Sequence, residues 1–326
     1  MMDALLEVRD LTVTLRSGSG EVTALDQLSF NVNRGEVLGL VGESGAGKSL
    51  TGAAIVDLLV PPLKRTGGRI SLGGERLDGL SEEALASIRG KRVGYIFQDP
   101  LTSLNPVLTV GYQLAETIAI HTGMDRAAAR QRALEWISRV GISDPERRYA
   151  QYPHHFSGGM RQRLVIALAL CGEPDLVIAD EPTTALDVSV QAHILTLLKR
   201  LHEETGTAII LITHDLGVIA KMADRTGVLY AGRLVEIGPT SQVLLAPRHP
   251  YTQGLMRATP DHRSTTARLS PIRGSMPGLG RAPSGCPFRT RCDHAEADCA
   301  ATRPELVLHG LSDAACHHPL GLGVAT

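Results

Sequence analysis

The octet Gly42-Glu43-Ser44-Gly45-Ala46-Gly47-Lys48-Ser49, followed by Leu50, constrains this chain more than any other stretch. It satisfies the G-x4-G-K-[ST] pattern, whose glycines let the backbone turn so that successive N–H groups face one anion. Lys48 brings a point charge suited to β- and γ-phosphates, and Ser49 a hydroxyl suited to Mg²⁺. Taken alone, such an octet also suits a flexible surface loop. Its setting decides the matter: the apolar run Val37 to Val41 reads as a buried strand, and from Lys48 to Leu59 the spacing turns helical. A helix starting at the loop aims its positive end at the bound phosphates. Strand, glycine-rich loop and helix in that order commit the chain to an α/β fold with parallel strands.

The rest of the chain is consistent with that start. Residues 5 to 41 alternate apolar and polar residues and predict antiparallel strands ending in the buried one. Arg92 to Phe97 reads as a strand, 108 to 140 as purely helical, and Ser157 as the start of an apolar helix. Strand and helix then alternate again, with strands at Leu176 to Ala179, Ala208 to Thr213 and Val228 to Tyr230 and a helix at Ser189 to Glu204. The main domain is expected to span 1–258, with a helical subdomain at about 100–170. Beyond it, 259–326 is rich in Pro, Gly, Arg and Ser and predicts a small loop-rich module.

Composition narrows the function. With 33 basic against 34 acidic residues there is no basic excess to neutralise a phosphate backbone, so nucleic acid is a poor partner. The longest apolar run, Leu164 to Cys171, falls short of the roughly 18–20 residues a spanning helix needs. Met1-Met2-Asp3 opens no basic and apolar leader, so the expected location is the cytoplasm.

Two further stretches concern phosphate chemistry. Leu176-Val177-Ile178-Ala179 runs into Asp180-Glu181, a strand end whose first carboxylate suits Mg²⁺ and whose second, Glu181, suits the role of catalytic base. Without the phosphate loop, Glu181 would read as a loop or helix-terminal charge. Phe156-Ser157-Gly158-Gly159-Met160-Arg161-Gln162 offers a helix N-terminus capped by Ser157 beside two glycines, a second place for an anion. Alone, it would be a capped helix with a glycine hinge.

With that last stretch the chain resembles the ATP-binding cassette family, whose signature motif it matches. The resemblance implies a P-loop NTPase fold with a RecA-like core, an antiparallel β subdomain and a helical subdomain. It implies that Ser157, Gly158, Gly159 and Met160 face the ATP held by another subunit, so that two subunits sandwich two nucleotides. It extends to Gln98 in Tyr95-Ile96-Phe97-Gln98-Asp99-Pro100, matching the loop that touches Mg²⁺ and the attacking water. It also extends to Ala185-Leu186-Asp187, matching a dimer-contact loop, and to His214, matching a histidine that contacts the γ-phosphate. The implied catalytic set is Glu181, His214, Lys48 and Gln98, with Mg²⁺ held through Ser49, Gln98 and Asp180. One position departs from the family. An aromatic ring usually stacks on adenine where this chain has the aliphatic Leu15, which implies weaker base discrimination.

Phe97 to Pro106, then His249-Pro250-Tyr251-Thr252, then a cysteine-bearing tail resemble the ATPase subunits of oligopeptide, dipeptide and nickel importers. Ile88-Arg89-Gly90-Lys91-Arg92 and Ile272-Arg273-Gly274 resemble the first (D-type) of two paired ATPases. The resemblance implies an ATP-hydrolysing subunit that energises solute import from the cytoplasmic face of the inner membrane as a peripheral protein. Its implied partners are two permease subunits, a second ATPase in a heterodimer or a homodimer, and an extracytoplasmic solute-binding protein. The other class to weigh is a cassette ATPase acting on nucleic acid or ribosomes, which would call for a coiled-coil insertion or a second phosphate loop. The tail places Cys286, Cys292, Cys299 and Cys316 at C-x5-C-x6-C-x16-C spacing. Disulfides do not suit a reducing cytoplasm, and zinc sites show a tighter C-x2–4-C pair. The resemblance favours a [4Fe–4S] cluster, with His317 and His318 as alternative ligands, while four reduced thiols are the plain alternative.

Overall fold

The computed structural model describes residues 4–17, 20–184, 186–259 and 271–321. Ala185 of the expected dimer-contact loop, the leader position Met1 to Asp3 and the start of the expected tail module, 260–270, lie outside them. In chain order the strands are β1 (Ala4–Ser17), β2 (Gly20–Asn33), β3 (Val37–Val41), β4 (Leu63–Leu72), β5 (Glu75–Arg76), β6 (Val93–Ile96), β7 (Leu176–Asp180), β8 (Ala208–Ile212), β9 (Arg225–Tyr230), β10 (Arg233–Pro239), β11 (Val307–His309) and β12 (Ser312–Ala314). The helices are α1 (Lys48–Ile55), α2 (Glu82–Ile88), α3 (Pro100–Ser103), α4 (Val110–Thr122), α5 (Arg126–Arg139), α6 (Pro145–Tyr149), α7 (Gly158–Leu170), α8 (Val188–Thr205), α9 (Leu216–Met222), α10 (Thr240–Leu245), α11 (Pro250–Ala258) and α12 (Asp298–Ala301).

The chain divides into two compact units: Met1–Leu5, Val32–Glu36 and Gly79–Ile212 form one, and Leu6–Asn31, Val37–Asp78 and Thr213–Thr326 the other. In the first unit β6, β7 and β8 run parallel, with β7 in the middle. All five residues of β7 are buried, as are all five of β8. Parallel strands covered on both faces read as unbroken apolar runs, which is why Leu176 to Ala179 was recognisable. The helical stretch expected at 108 to 140 is two helices, because Gly123 takes a left-handed φ of 74° to end α4 and Asp125 caps α5 through Ala128 N–H at 2.9 Å.

In the second unit one sheet has the order β2-β1-β4-β5. β1 pairs antiparallel with β4, and Leu15 stands opposite Leu63. Another sheet segment runs β3-β9-β10-β12-β11, with β3 and β9 parallel and the remaining pairs antiparallel. α1 stops at Ile55 instead of reaching Leu59: Asp57 takes φ 53°, and Leu58 N–H bonds back to Ala53 O at 2.8 Å. The tail is less irregular than its composition predicts. It carries α12 and the β11–β12 hairpin, and β12 extends the segment by pairing Ala314 with Glu236 and Asp313 with Ile237 of β10.

Candidate functional site

The phosphate loop and His214 belong to the second unit; Gln98, Asp180, Glu181 and the Ser157 helix belong to the first. Each group is built by its own unit.

β3 delivers the chain into the loop. Gly42 sits at φ 153°, and a Cβ there would come 2.3 Å from Leu229 O of β9. No larger residue fits where β3 and β9 run this close. Gly47 sits at φ 103°, and a Cβ would lie 2.7 Å from Leu25 Cδ2. The turn is closed by Ala46 N–H to Glu43 O at 3.1 Å. Lys48 is buried, and its Nζ donates to Gly42 O at 2.9 Å and to Glu43 O at 3.1 Å. The ammonium is thereby folded back over the loop. Ser44, Gly45 and Ser49 are exposed. α1 opens directly at the loop, so the positive end of its dipole lies there. A glycine-built turn with a lysine ammonium and a helix N-terminus suits a polyphosphate by charge.

Glu43 is fastened at several points. Its N–H donates to Tyr251 Oη at 2.9 Å, and its carboxylate takes two bonds from Arg291, from Nη1 at 2.7 Å and Nη2 at 2.9 Å. Tyr251 is placed by α11, whose N-terminus is anchored by the buried Glu236. Its two oxygens accept the N–H groups of Arg248 and His249 at 2.8 and 2.9 Å. His249 Nδ1 accepts the N–H of Tyr251 at 3.0 Å, which requires an unprotonated nitrogen; burial pushes this imidazole down to about 3. His214 is exposed, just before Asp215, which caps α9. Leu15 is half-buried in β1.

In the first unit, β7 ends in the buried Asp180, and the half-buried Glu181 follows it. Tyr95 Oη donates to Asp180 Oδ2 at 3.5 Å, and burial, with Asp180 beside it, pushes this phenol far above its ordinary range. Gln98 Nε2 donates to Glu181 Oε2 at 3.3 Å and Thr184 Oγ1 to the same oxygen at 2.7 Å. Glu181 holds a left-handed φ of 46°, kept there by its N–H bond to Ile212 O at 2.8 Å. That conformation costs a non-glycine residue roughly 1–2 kcal/mol and recurs where a side chain must be aimed. Gln98 and Glu181 therefore meet, while Asp180, one residue earlier, is bonded to Tyr95.

Ser157 caps α7, its Oγ accepting Met160 N–H at 3.4 Å. Gly159 is held against α8, since a Cβ would come 2.7 Å from Val190 Cγ1, while one at Gly158 would lie 3.7 Å from Leu186 Cδ2. Asp187 stands at the N-cap of α8 without a side-chain cap bond. The signature residues thus pack on α8 and the loop before it, and Ser157 and Gly158 are exposed.

The four tail cysteines are unpaired and line one small pocket with His249, Phe288, His317 and His318. Burial, reinforced by the three neighbouring thiols, pushes Cys316 up to about 12. Lining one pocket does not by itself bring the four sulfurs to ligand distance of one another; a metal bound there would take them deprotonated. Among the described residues, the donors lying within 4.8 Å of one another are Asp298, Cys299 and His318. His317 Nε2 lies 3.0 Å from Thr302 O and His318 Nε2 2.9 Å from Asp298 Oδ1.

Sequence reasoning missed Tyr95, Thr184 and Arg291. Tyr95 and Thr184 stand three residues from Gln98 and Glu181, a spacing that could have flagged them. Arg291 carries no local signal.

Comparison with known proteins follows the same lines. Residues 25–184 match the ABC transporter family, and 235–299 match the C-terminal region of oligopeptide/dipeptide transporters. The dipeptide transport ATP-binding protein DppD of Bacillus subtilis is 48% identical over 93% of this chain and 91% of its own length. The oligopeptide transport ATP-binding protein OppD of Salmonella typhimurium is 48% identical over 93% and 90%. DppD of Escherichia coli is 44% identical over 97% of both chains. A dimeric ATP-binding cassette solved in a post-hydrolysis state with ADP and Pi superposes with a TM-score of 0.64 at 30% identity, covering 72% of this chain and 98% of that one. With a fold, a phosphate loop and near-full-length relatives all in agreement, the chain belongs to the ABC transporter family and is one of its ATPases.

Proposed function

We propose that this chain energises the import of dipeptides or oligopeptides by binding and hydrolysing ATP on the cytoplasmic face of the inner membrane. The observation that carries the reading is the end-to-end likeness to relatives named as dipeptide and oligopeptide transport ATP-binding proteins. In this reading Gly42 to Leu50 receive the phosphates. Ser49, Asp180 and Gln98 would hold Mg²⁺, which when bound would neutralise charge on the phosphate oxygens. Glu181 takes a proton from water as the water oxygen attacks the γ-phosphorus; the bond to the bridging oxygen breaks and ADP leaves. Lys48 and His214 stabilise the charge that spreads over the γ-phosphoryl group. Ser157, Gly158, Gly159 and Met160 serve a partner's nucleotide, and Asp187 lies in the contact between partners. The exposure of Ser157 and Gly158 supports that division of labour.

The nucleotide-binding domain is read as 1–258 and the tail module as 259–326. No helix among the described residues is long and apolar enough to cross a membrane. In this reading two permeases form the channel, and a second ATPase and a solute-binding protein complete the complex. Purification with its membrane partners into vesicles tests the proposal. ATP-dependent uptake of labelled dipeptide or oligopeptide is expected, whereas recovery with nucleic acid or ribosomes and no uptake would overturn it. The exclusive uptake of nickel would reassign the solute.

A [4Fe–4S] cluster held by Cys286, Cys292, Cys299 and Cys316 is the finer reading of the tail, supported by the four thiols facing one pocket. Anaerobically purified protein is then expected to contain iron and to absorb in the visible. A colourless, iron-free preparation would sink it.

A further inference from the structure

A carboxylate inside a phosphate-binding loop is a contradiction that the structure resolves. Glu43 is the second residue of that loop, and a free negative charge there would oppose an incoming polyphosphate. Its carboxylate is instead gripped on both oxygens by Arg291, whose side chain is 4% exposed against 31% for Glu43. Arg291 belongs to the tail, 248 residues away, in the turn between Cys286 and Cys292.

The guanidinium has little freedom. Its Nε donates to Arg273 O at 2.8 Å and its Nη1 also reaches Tyr230 Oη at 3.4 Å. The rings of Tyr230 and Phe288 lie 5.8 and 5.9 Å from Cζ. Phe288, from the same turn, packs against Tyr230 and Tyr251 at 5.3 Å each, and Tyr251 is the group that takes the Glu43 N–H. The bond to Glu43 holds the guanidinium still more firmly protonated than usual. A planar fork on a carboxylate fixes orientation as well as charge. The turn that carries the cysteines thus holds the phosphate loop through the Glu43 side chain and, by way of Phe288 and Tyr251, through its backbone.

We propose that Arg291 is a positioning residue of the nucleotide site: it neutralises and clamps Glu43, so that the tail module is a working part of the phosphate loop. The proposal rests on the reading that Gly42 to Ser49 hold the phosphates of ATP. Removing the guanidinium should do two things, loosen the loop and expose a carboxylate that repels phosphate. The second effect has a sign and a dependence on ligand charge that loss of a simple strut lacks.

The test is equilibrium binding of ATP and ADP to the full chain, comparing wild type, R291A, E43Q, R291A/E43Q and R291K, with melting curves to verify folding. R291A is expected to weaken ATP binding by about tenfold, an amount typical of uncovering one nearby charge, and ADP binding by less. E43Q added to R291A should restore most of the loss, and R291K should lie in between. Where R291A melts below the assay temperature, R291K against R291K/E43Q reads the same rescue. Unchanged ATP affinity in R291A overturns the clamp alone, and so does a loss that is equal for ATP and ADP and is not rescued by E43Q. A wild-type chain that binds no ATP overturns the phosphate-loop reading and the clamp with it.

Discussion

Glu181→Gln is expected to leave ATP binding intact and to lower steady-state phosphate release by about 10²- to 10⁴-fold, the range general-base catalysis contributes. The amide is close to isosteric, so the oxygen that accepts from Gln98 at 3.3 Å and Thr184 at 2.7 Å keeps both partners. What disappears is the capacity to take a proton from water. The backbone at φ 46° is untouched, because it is held by the N–H bond to Ile212 rather than by the side chain. With ATP bound and not cleaved, the paired state persists, so light scattering should show an ATP-dependent increase in mass that ADP does not produce. Near-normal turnover in this variant would remove Glu181 from the role of base.

Lys48→Ala has the other large effect, on binding. Lys48 is buried and its ammonium is tied to Gly42 O and Glu43 O, over the loop proposed to receive the phosphates. Truncation removes its charge from the phosphates and withdraws a donor from two loop carbonyls. A charge-assisted contact is worth roughly 1.5–3 kcal/mol, more where charge is spread over an excluded site. ATP affinity should fall by about two orders of magnitude, roughly 2.8 kcal/mol, measured by calorimetry on protein whose melting curve stays cooperative. An affinity within about threefold of wild type would contradict the placement of Lys48.

Much of this was legible in the sequence because it is local. β3 and β7 are unbroken apolar runs, the phosphate loop is contiguous with the strand and helix that frame it, and Ser157 precedes the helix that it caps. What was not legible joins residues far apart. Nothing near Arg291 or Glu43 announces an ion pair across 248 positions, and Pro- and Gly-rich texture concealed a hairpin whose pairing is satisfied by β10. The early end of α1 depended on one left-handed residue, Asp57, which propensity does not reveal. The turn of Glu181 into left-handed φ was equally invisible, because the N–H bond that accompanies it runs to Ile212, 31 positions on in β8.

The central claim is that one chain supplies the phosphate loop for its own nucleotide and the Ser157 helix for a partner's. Vanadate trapped with Mg²⁺ and nucleotide occupies the place of the γ-phosphate, and near-ultraviolet light then cuts the backbone beside it. Sequencing the fragments from the assembled complex should give cuts within Gly42 to Ser49 and, separately, within Ser157 to Gly159. Cuts confined to other segments, or cuts at the loop with none at Ser157 to Gly159 in any subunit, would contradict it.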